Sequence, residues 1–182
     1  LLSDAYSKWG RIAAAISVVL LTGALAGCQV RPLYSQASGT REKFETVNFT
    51  AATDRVTQEV RNQLVFLAYG GAGAPKTKEY EVKLTVKSSA TSTEVTDDTS
   101  LSVSKNNYDG PYPGRVSMTG KYVITRISDG QVLRAATRTV TAMLDLPQQE
   151  FAKIRAIRDG ENRAARELAE IISTDIAATL GR

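Results

Sequence analysis

No histidine occurs anywhere in the 182 residues of the chain, and cysteine and tryptophan occur once each. These absences exclude whole classes of chemistry. A Ser-His-Asp triad or a Cys-His pair needs an imidazole as its general base, and none is available. A zinc site with His ligands is impossible, and a lone thiol cannot build a four-thiolate site. The single cysteine also rules out an internal disulfide. Aromatic residues are sparse at 7%, and a net charge of +4 is compatible with an anionic partner but too mild by itself to mark a nucleic-acid binder. What remains is a chain that is 42% hydrophobic, enough for a folded core. Its length predicts one domain and allows two at most.

The first 27 residues differ from the rest. Lys8 and Arg11 precede Ile12 to Ala26, which is 15 residues without a charge. As a helix that run would span about 22 Å, short of the roughly 30 Å hydrocarbon core of a bilayer. It fits the apolar region of a signal peptide better than a membrane span. Leu25-Ala26-Gly27-Cys28 follows, and this tetrapeptide resembles the lipobox of bacterial lipoproteins. The resemblance implies cleavage before Cys28, a thioether-linked diacylglycerol on its sulfur and an acylated amino terminus. Three acyl chains anchor firmly, since one binds marginally and two already suffice. Gln29 stands where the sorting rule of enteric bacteria places Asp for inner-membrane retention, which favours the outer membrane. Residues 1–27 are therefore expected to be a lipoprotein signal peptide. The polar stretch 28–43, with Pro32 and Gly39, is expected to be a lipidated tether, and 44–182 a single domain.

Within that domain, Phe44 to Thr50 alternates weakly, as a short strand does. Thr53 is placed to cap a helix, with Asp54 in its first turn. Val56, Val60, Leu64 and Leu67 recur at helical spacing as far as Tyr69, where Gly70-Gly71 stops the helix. Glu79 to Lys87 is the clearest strand. Tyr80, Val82, Leu84 and Val86 point one way, while Glu79, Glu81, Lys83, Thr85 and Lys87 point the other. The Ser- and Thr-rich stretch 88–104 suits an extended arm or a second strand, and 105–114 is a turn by composition. Strands are predicted over 115–128 and 131–143, joined at Asp129-Gly130, a two-residue hairpin signal. A helix starts over 148–158. Ala165, Leu168, Ile172, Ile176 and Leu180 form one stripe beyond it, with Gly160 as a break or kink. Hairpin strands with a helix at each end predict an α+β two-layer sandwich. The expected sheet has about four strands, is mostly antiparallel and packs against two helices.

No residue in this chain stands out as catalytic, and no metal ligand or cofactor site is expected. Gly70-Gly71-Ala72-Gly73 follows a helix, whereas a phosphate-cradling loop follows a strand. Asp97-Asp98 lacks the alternating acidic ligands of a cation loop. Glu79 and Glu81 share a strand face with Lys83 and Lys87, which reads as a charge-balanced surface rather than an acid–base pair. The basic residues are more informative. Lys83, Lys87, Arg115 and Lys121 lie on strands and are candidates for one outward face, while Arg134 and Arg138 alternate on the last strand. Arg forks grip phosphate bidentately and Lys supplies a point charge. This strand set fits either a solvated surface or partner contacts. Arg155, Arg158, Arg163 and Arg166 crowd the final helix, where Arg163–Glu167 and Arg166–Glu170 are expected to pair as a solvated face.

Two segments carry a family resemblance. Gly27-Cys28-Gln29-Val30-Arg31-Pro32-Leu33-Tyr34 is similar to a Gly-Cys-x-x-Arg-Pro-Leu-Tyr start. Phe151-Ala152-x-x-Arg155-Ala156, followed by Asp159-Gly160-Glu161-Asn162-Arg163-Ala164-Ala165-Arg166-Glu167-Leu168-Ala169, is similar to a C-terminal helix in which Gly160 is often Ala. Both resemble the alphaproteobacterial form of the lipopolysaccharide-assembly lipoprotein family, LptE. The middle of the chain matches in size and strand order rather than in motif. The resemblance implies a lipoprotein on the periplasmic side of the outer membrane that sits in the lumen of the β-barrel LptD. There it plugs the barrel, helps it fold and helps deliver lipopolysaccharide to the cell surface. It also implies lipopolysaccharide binding through basic residues, for which Lys83, Lys87, Arg115, Lys121, Arg134 and Arg138 are the candidates. No nucleic acid is expected as a partner. The alternative is a periplasmic accessory lipoprotein of a lipid ABC transporter. A lipid-anchored hydrolase using Asp or Glu is a third reading, and no carboxylate constellation favours it.

Overall fold

Period-two burial organises three long strands in the computed structural model, which describes residues 39–70, 75–92 and 111–181. The leader, Cys28, the tether as far as residue 38, Gly71 to Gly73, Asp97-Asp98 and the 105–110 part of the turn lie outside those residues. In chain order the elements are α1 (Thr40–Glu45), β1 (Val47–Phe49), α2 (Arg55–Tyr69), β2 (Tyr80–Ser92), β3 (Tyr112–Arg126), β4 (Val132–Leu146) and α3 (Glu150–Leu180). The sheet order is β1-β2-β3-β4. β1 runs parallel to β2, with α2 as the crossover, and the other two pairings are antiparallel. The fold is an α+β two-layer sandwich.

One face of the sheet is apolar because every second residue is. Val82 and Val86 of β2, Val116, Met118, Tyr122 and Ile124 of β3, and Val140, Leu144 and Leu146 of β4 are all buried. α3 meets them with Ala164, Ala165, Leu168, Ala169, Ile172 and Ile176, and α2 adds Val60 and Leu64. Two glycines set how closely α3 approaches. A Cβ on Gly120 would lie 3.0 Å from Leu168 Cδ2. A Cβ on Gly160 would lie 3.1 Å from Leu144 Cδ2 and 3.2 Å from Val116 Cγ2. Gly160 therefore does not break the helix. α3 runs through it unbroken, and the glycine is the point where helix and sheet touch.

Five local expectations are corrected. Residues 40–43 are not tether and Phe44 does not begin a strand. Thr40 and Phe44, one helical turn apart, are buried on a single side of α1, and Lys43 Nζ donates to Leu180 O at 2.9 Å. Six residues are too few to show a helical period in sequence. The N-cap of α2 is Asp54 rather than Thr53. Leu67 is more than a third exposed, because the buried line of α2 runs through Thr57, Val60, Leu64 and Ala68. The hairpin loop spans Ile127 to Gly130 rather than two residues. Arg126 N–H bonds Gln131 O, Gly130 sits at φ 68°, and Asp129 Oδ1 accepts from Gln131 N–H at 3.0 Å.

The Asp54 cap links local and tertiary structure. Its Oδ1 accepts from Thr57 N–H at 2.9 Å and its Oδ2 from the Thr57 hydroxyl at 2.7 Å. Thr57 Oγ1 in turn accepts from Val86 N–H at 3.1 Å, which satisfies a donor on β2 beyond the reach of the short strand β1. The Thr57 N–H, then its hydroxyl, hold the Asp54 carboxyl below its ordinary 3.8. Asp54→Ala is expected to cost about 1 kcal/mol, the usual loss for an N-cap. Chemical denaturation at neutral pH checks this. The gap to wild type should narrow in acid, where the carboxylate takes up a proton.

Candidate functional site

The second face of the sheet carries the residues that alternate with the core. They include Glu81, Lys83, Thr85 and Lys87 of β2, Arg115, Ser117, Thr119, Lys121 and Val123 of β3, and Thr137, Thr139, Thr141, Met143 and Asp145 of β4. Among the described residues no helix packs on this face. Hydroxyls and cations dominate it, with Glu81 beside Lys83 and Asp145 beside Met143 as its carboxylates. Lys121 lies opposite Thr85, and the register Lys83↔Val123 and Lys87↔Thr119 places both other lysines on its diagonals. Diagonal neighbours on an antiparallel pair are roughly 7–8 Å apart, close enough for three flexible ammonium groups to converge on one anion. Thr137 flanks Lys121 from β4, and Thr119 and Thr139 share a hydroxyl hydrogen bond at 2.9 Å. None of the ion pairs among the described residues involves Lys83, Lys87, Lys121 or Arg115.

The structure divides the six basic candidates into three groups. Lys83, Lys87 and Lys121 form a cluster. Arg115 shares their face, but six residues along β3 put it about 20 Å from Lys121, between Thr91 and Met143. Arg134 and Arg138 point the other way, toward the helices, because their register partners Ile124 and Gly120 belong to the buried face.

Those two arginines converge on Asp175 of α3, a residue that sequence reasoning missed. Arg138 grips it bidentately, with Nε 2.7 Å from Oδ2 and Nη2 3.0 Å from Oδ1. Arg134 Nη2 adds a bond to Oδ1 at 3.1 Å, and the Tyr122 hydroxyl donates to Oδ2 at 2.6 Å. The Arg138 fork, together with Tyr122 and Arg134, holds the Asp175 carboxyl below its ordinary 3.8 despite partial burial. Burial, reinforced by the adjacent carboxylate, pushes the Tyr122 phenol up to about 12. The cluster fastens α3 to β3 and β4. It also guards β4, an edge strand of the sheet, since inward-pointing charge disfavours pairing with a foreign strand. The signal for it was present in the sequence. Arg134 and Arg138 are in phase with Val140 and Leu144, so period two already put them on the apolar side.

The remaining charges hold elements together. Arg163 pairs with Asp159 at 3.2 Å and donates to Met143 O at 3.1 Å. The expected Arg163–Glu167 and Arg166–Glu170 pairs do not occur among the described residues. Glu161 bridges three elements, accepting from Arg55 of α2 and from Ser88 Oγ of β2 at 2.7 Å. Glu79 is tied through its backbone, with its N–H on Thr46 O and its carbonyl accepting from Ile127 N–H. Among the described residues no three His, Cys, Asp or Glu side chains are grouped to hold a metal ion. No described helix is long and apolar enough to cross a membrane.

Geometry thus defines an α+β sandwich with a basic, hydroxyl-rich open face and a charge-locked helix layer. No protein-family model and no curated protein sequence matches the chain. Solved structures do. A protein of Caulobacter crescentus CB15 assigned as a lipoprotein superposes with a TM-score of 0.58 at 21% identity, covering 77% of this chain and 93% of the other. A minor lipoprotein from Acinetobacter baumannii gives 0.47 at 15% identity over 72% and 88%. The rare lipoprotein B from Shewanella oneidensis gives 0.46 at 12% identity over 74% and 93%. At these identities the likeness, carried by the first of them, is one of fold.

Proposed function

We propose that this protein is an outer-membrane lipoprotein, anchored on the periplasmic side through lipid on Cys28, that acts by binding rather than catalysis. Its partner is the β-barrel LptD, which it complexes with and plugs, assisting barrel assembly and delivery of lipopolysaccharide to the outer leaflet. The lipobox, the two LptE-like segments and the fold shared with a lipoprotein-assigned structure support this reading. The observation that carries it is the open sheet face. A body seated in a water-filled barrel needs a polar surface, and the Thr and Ser hydroxyls donate and accept without a fixed charge. The lysine cluster on the same face supplies point charges suited to the phosphates of lipopolysaccharide.

The test is a triple charge reversal, Lys83→Glu with Lys87→Glu and Lys121→Glu. Lipopolysaccharide affinity is expected to fall roughly tenfold or more, because each exposed pair contributes about 0.2–1 kcal/mol and reversal replaces attraction with repulsion. The corresponding Arg variants should bind like wild type. All three positions are exposed, so melting temperature should change little. Unchanged affinity in the reversed protein would remove the face from the proposed function.

A further inference from the structure

The first two turns of α3 overhang the core. Full burial on this helix begins at Gly160, and before it Phe151, Ile154, Arg155 and Arg158 are all exposed. They fall at i, i+3, i+4 and i+7, which is one helix face. Phe151 is 86% exposed, an unusual state for a phenylalanine on an ordered helix. Neither Arg155 nor Arg158 takes part in any ion pair among the described residues. The sheet layer repeats this chemistry at the same end. Met143, 70% exposed, sits opposite Arg115 in the register, just before the turn that leads into α3.

We infer that this end of the molecule docks on the surface of an anionic bilayer, with Phe151 and Ile154 entering the headgroup–acyl boundary and Arg155 and Arg158 on lipid phosphates. Size and charge select that occupant. Four side chains on two helical turns fall well short of the roughly 800 Å² per partner of a stable protein interface. Such a stripe is sufficient for an interfacial contact, where an aromatic and an aliphatic side chain beside arginine is the usual composition. Unpaired guanidinium groups have an attractive partner in lipid phosphate and none in a neutral surface. The inference does not depend on the barrel reading.

The full chain offers a direct reporter. Its only tryptophan, Trp9, lies in the leader before Cys28, so Phe151→Trp puts a single fluorophore on the stripe of the lipidated protein, and Trp9→Phe silences any unprocessed chain. The protein, reconstituted into vesicles, should show blue-shifted emission, quenched by brominated acyl chains, when the vesicles contain phosphatidylglycerol. In pure phosphatidylcholine it should not. Adding Arg155→Gln and Arg158→Gln should lower the docked-to-free ratio roughly thirtyfold, about fivefold for each charge near an anionic surface. Inorganic phosphate should leave emission unchanged. Equal emission in both lipids, or quenching that survives loss of both arginines, would overturn the inference. Because Phe151 is exposed, the reporter substitution should leave the melting temperature unchanged, which separates failed docking from failed folding.

Discussion

Leu168→Ala is expected to destabilise the protein by about 3–4 kcal/mol, a fall in melting temperature on the order of 10 °C. Leu168 is fully buried at the middle of α3, directly over Gly120. Three of its neighbours on the helix, Ala164, Ala165 and Ala169, have no side-chain length with which to fill the space it leaves, and Ile172, one turn on, is already packed against Gly120. The cavity should therefore persist, placing the cost in the upper part of the usual range. The glycine below gives this prediction a sharper form. In the wild-type protein Gly120→Ala puts a methyl 3.0 Å from Leu168 Cδ2, a tight fit expected to cost up to about 1 kcal/mol. In the Leu168→Ala background the same methyl enters vacated space and should stabilise. The two substitutions would then couple with a change of sign, which a double-mutant cycle reads directly. Strict additivity would mean that helix and sheet do not meet at this point.

Asp175→Ala is expected to cost about 2–3 kcal/mol. Removing the carboxylate strands four donors at once, two from Arg138 and one each from Arg134 and Tyr122. Breaking a fully buried ion pair costs about 3–5 kcal/mol. Here the arginine side chains keep 31% and 38% of their exposure and can turn partly toward water, which holds the cost lower. The same group predicts a pH dependence. Its folded-state pKa lies below its unfolded value, so the unfolded chain binds the proton more readily. Stability from Asp175 is present above the ordinary 3.8 and is lost as pH falls through the depressed folded value. Asp54 titrates in the same direction. Urea unfolding followed from about pH 6 to about pH 2 should therefore show a shallower acid loss in Asp175→Asn than in wild type, with the Asp54 share remaining. An identical acid slope in both proteins would contradict the assignment.

These two sites differ in how far the sequence reveals them. Leu168 stands on a stripe of buried residues at helical spacing, and the stripe was legible because it repeats over about four turns. The alternation of β2 was legible for the same reason, and with it the outward direction of Lys83 and Lys87. That Lys121 would converge on them was not, since it depends on a register between strands about 40 residues apart, which nothing local determines. Asp175 lies 37, 41 and 53 residues from its three partners, so only tertiary structure assembles that cluster. The arginines were misdirected by chemistry overriding phase, because basic residues suggest a surface while their period-two position pointed inward. Asp54 rather than Thr53 caps α2, and the sequence did not separate them because either residue type can make that bond.

The proposed function stands or falls with the barrel partner. Tagged full-length protein should be purified in mild detergent from its native membrane and analysed by mass spectrometry. The predicted result is a large outer-membrane β-barrel in stoichiometric amount. Recovery of an ABC-transporter component in its place, or of no barrel at all, would overturn the barrel-partner function.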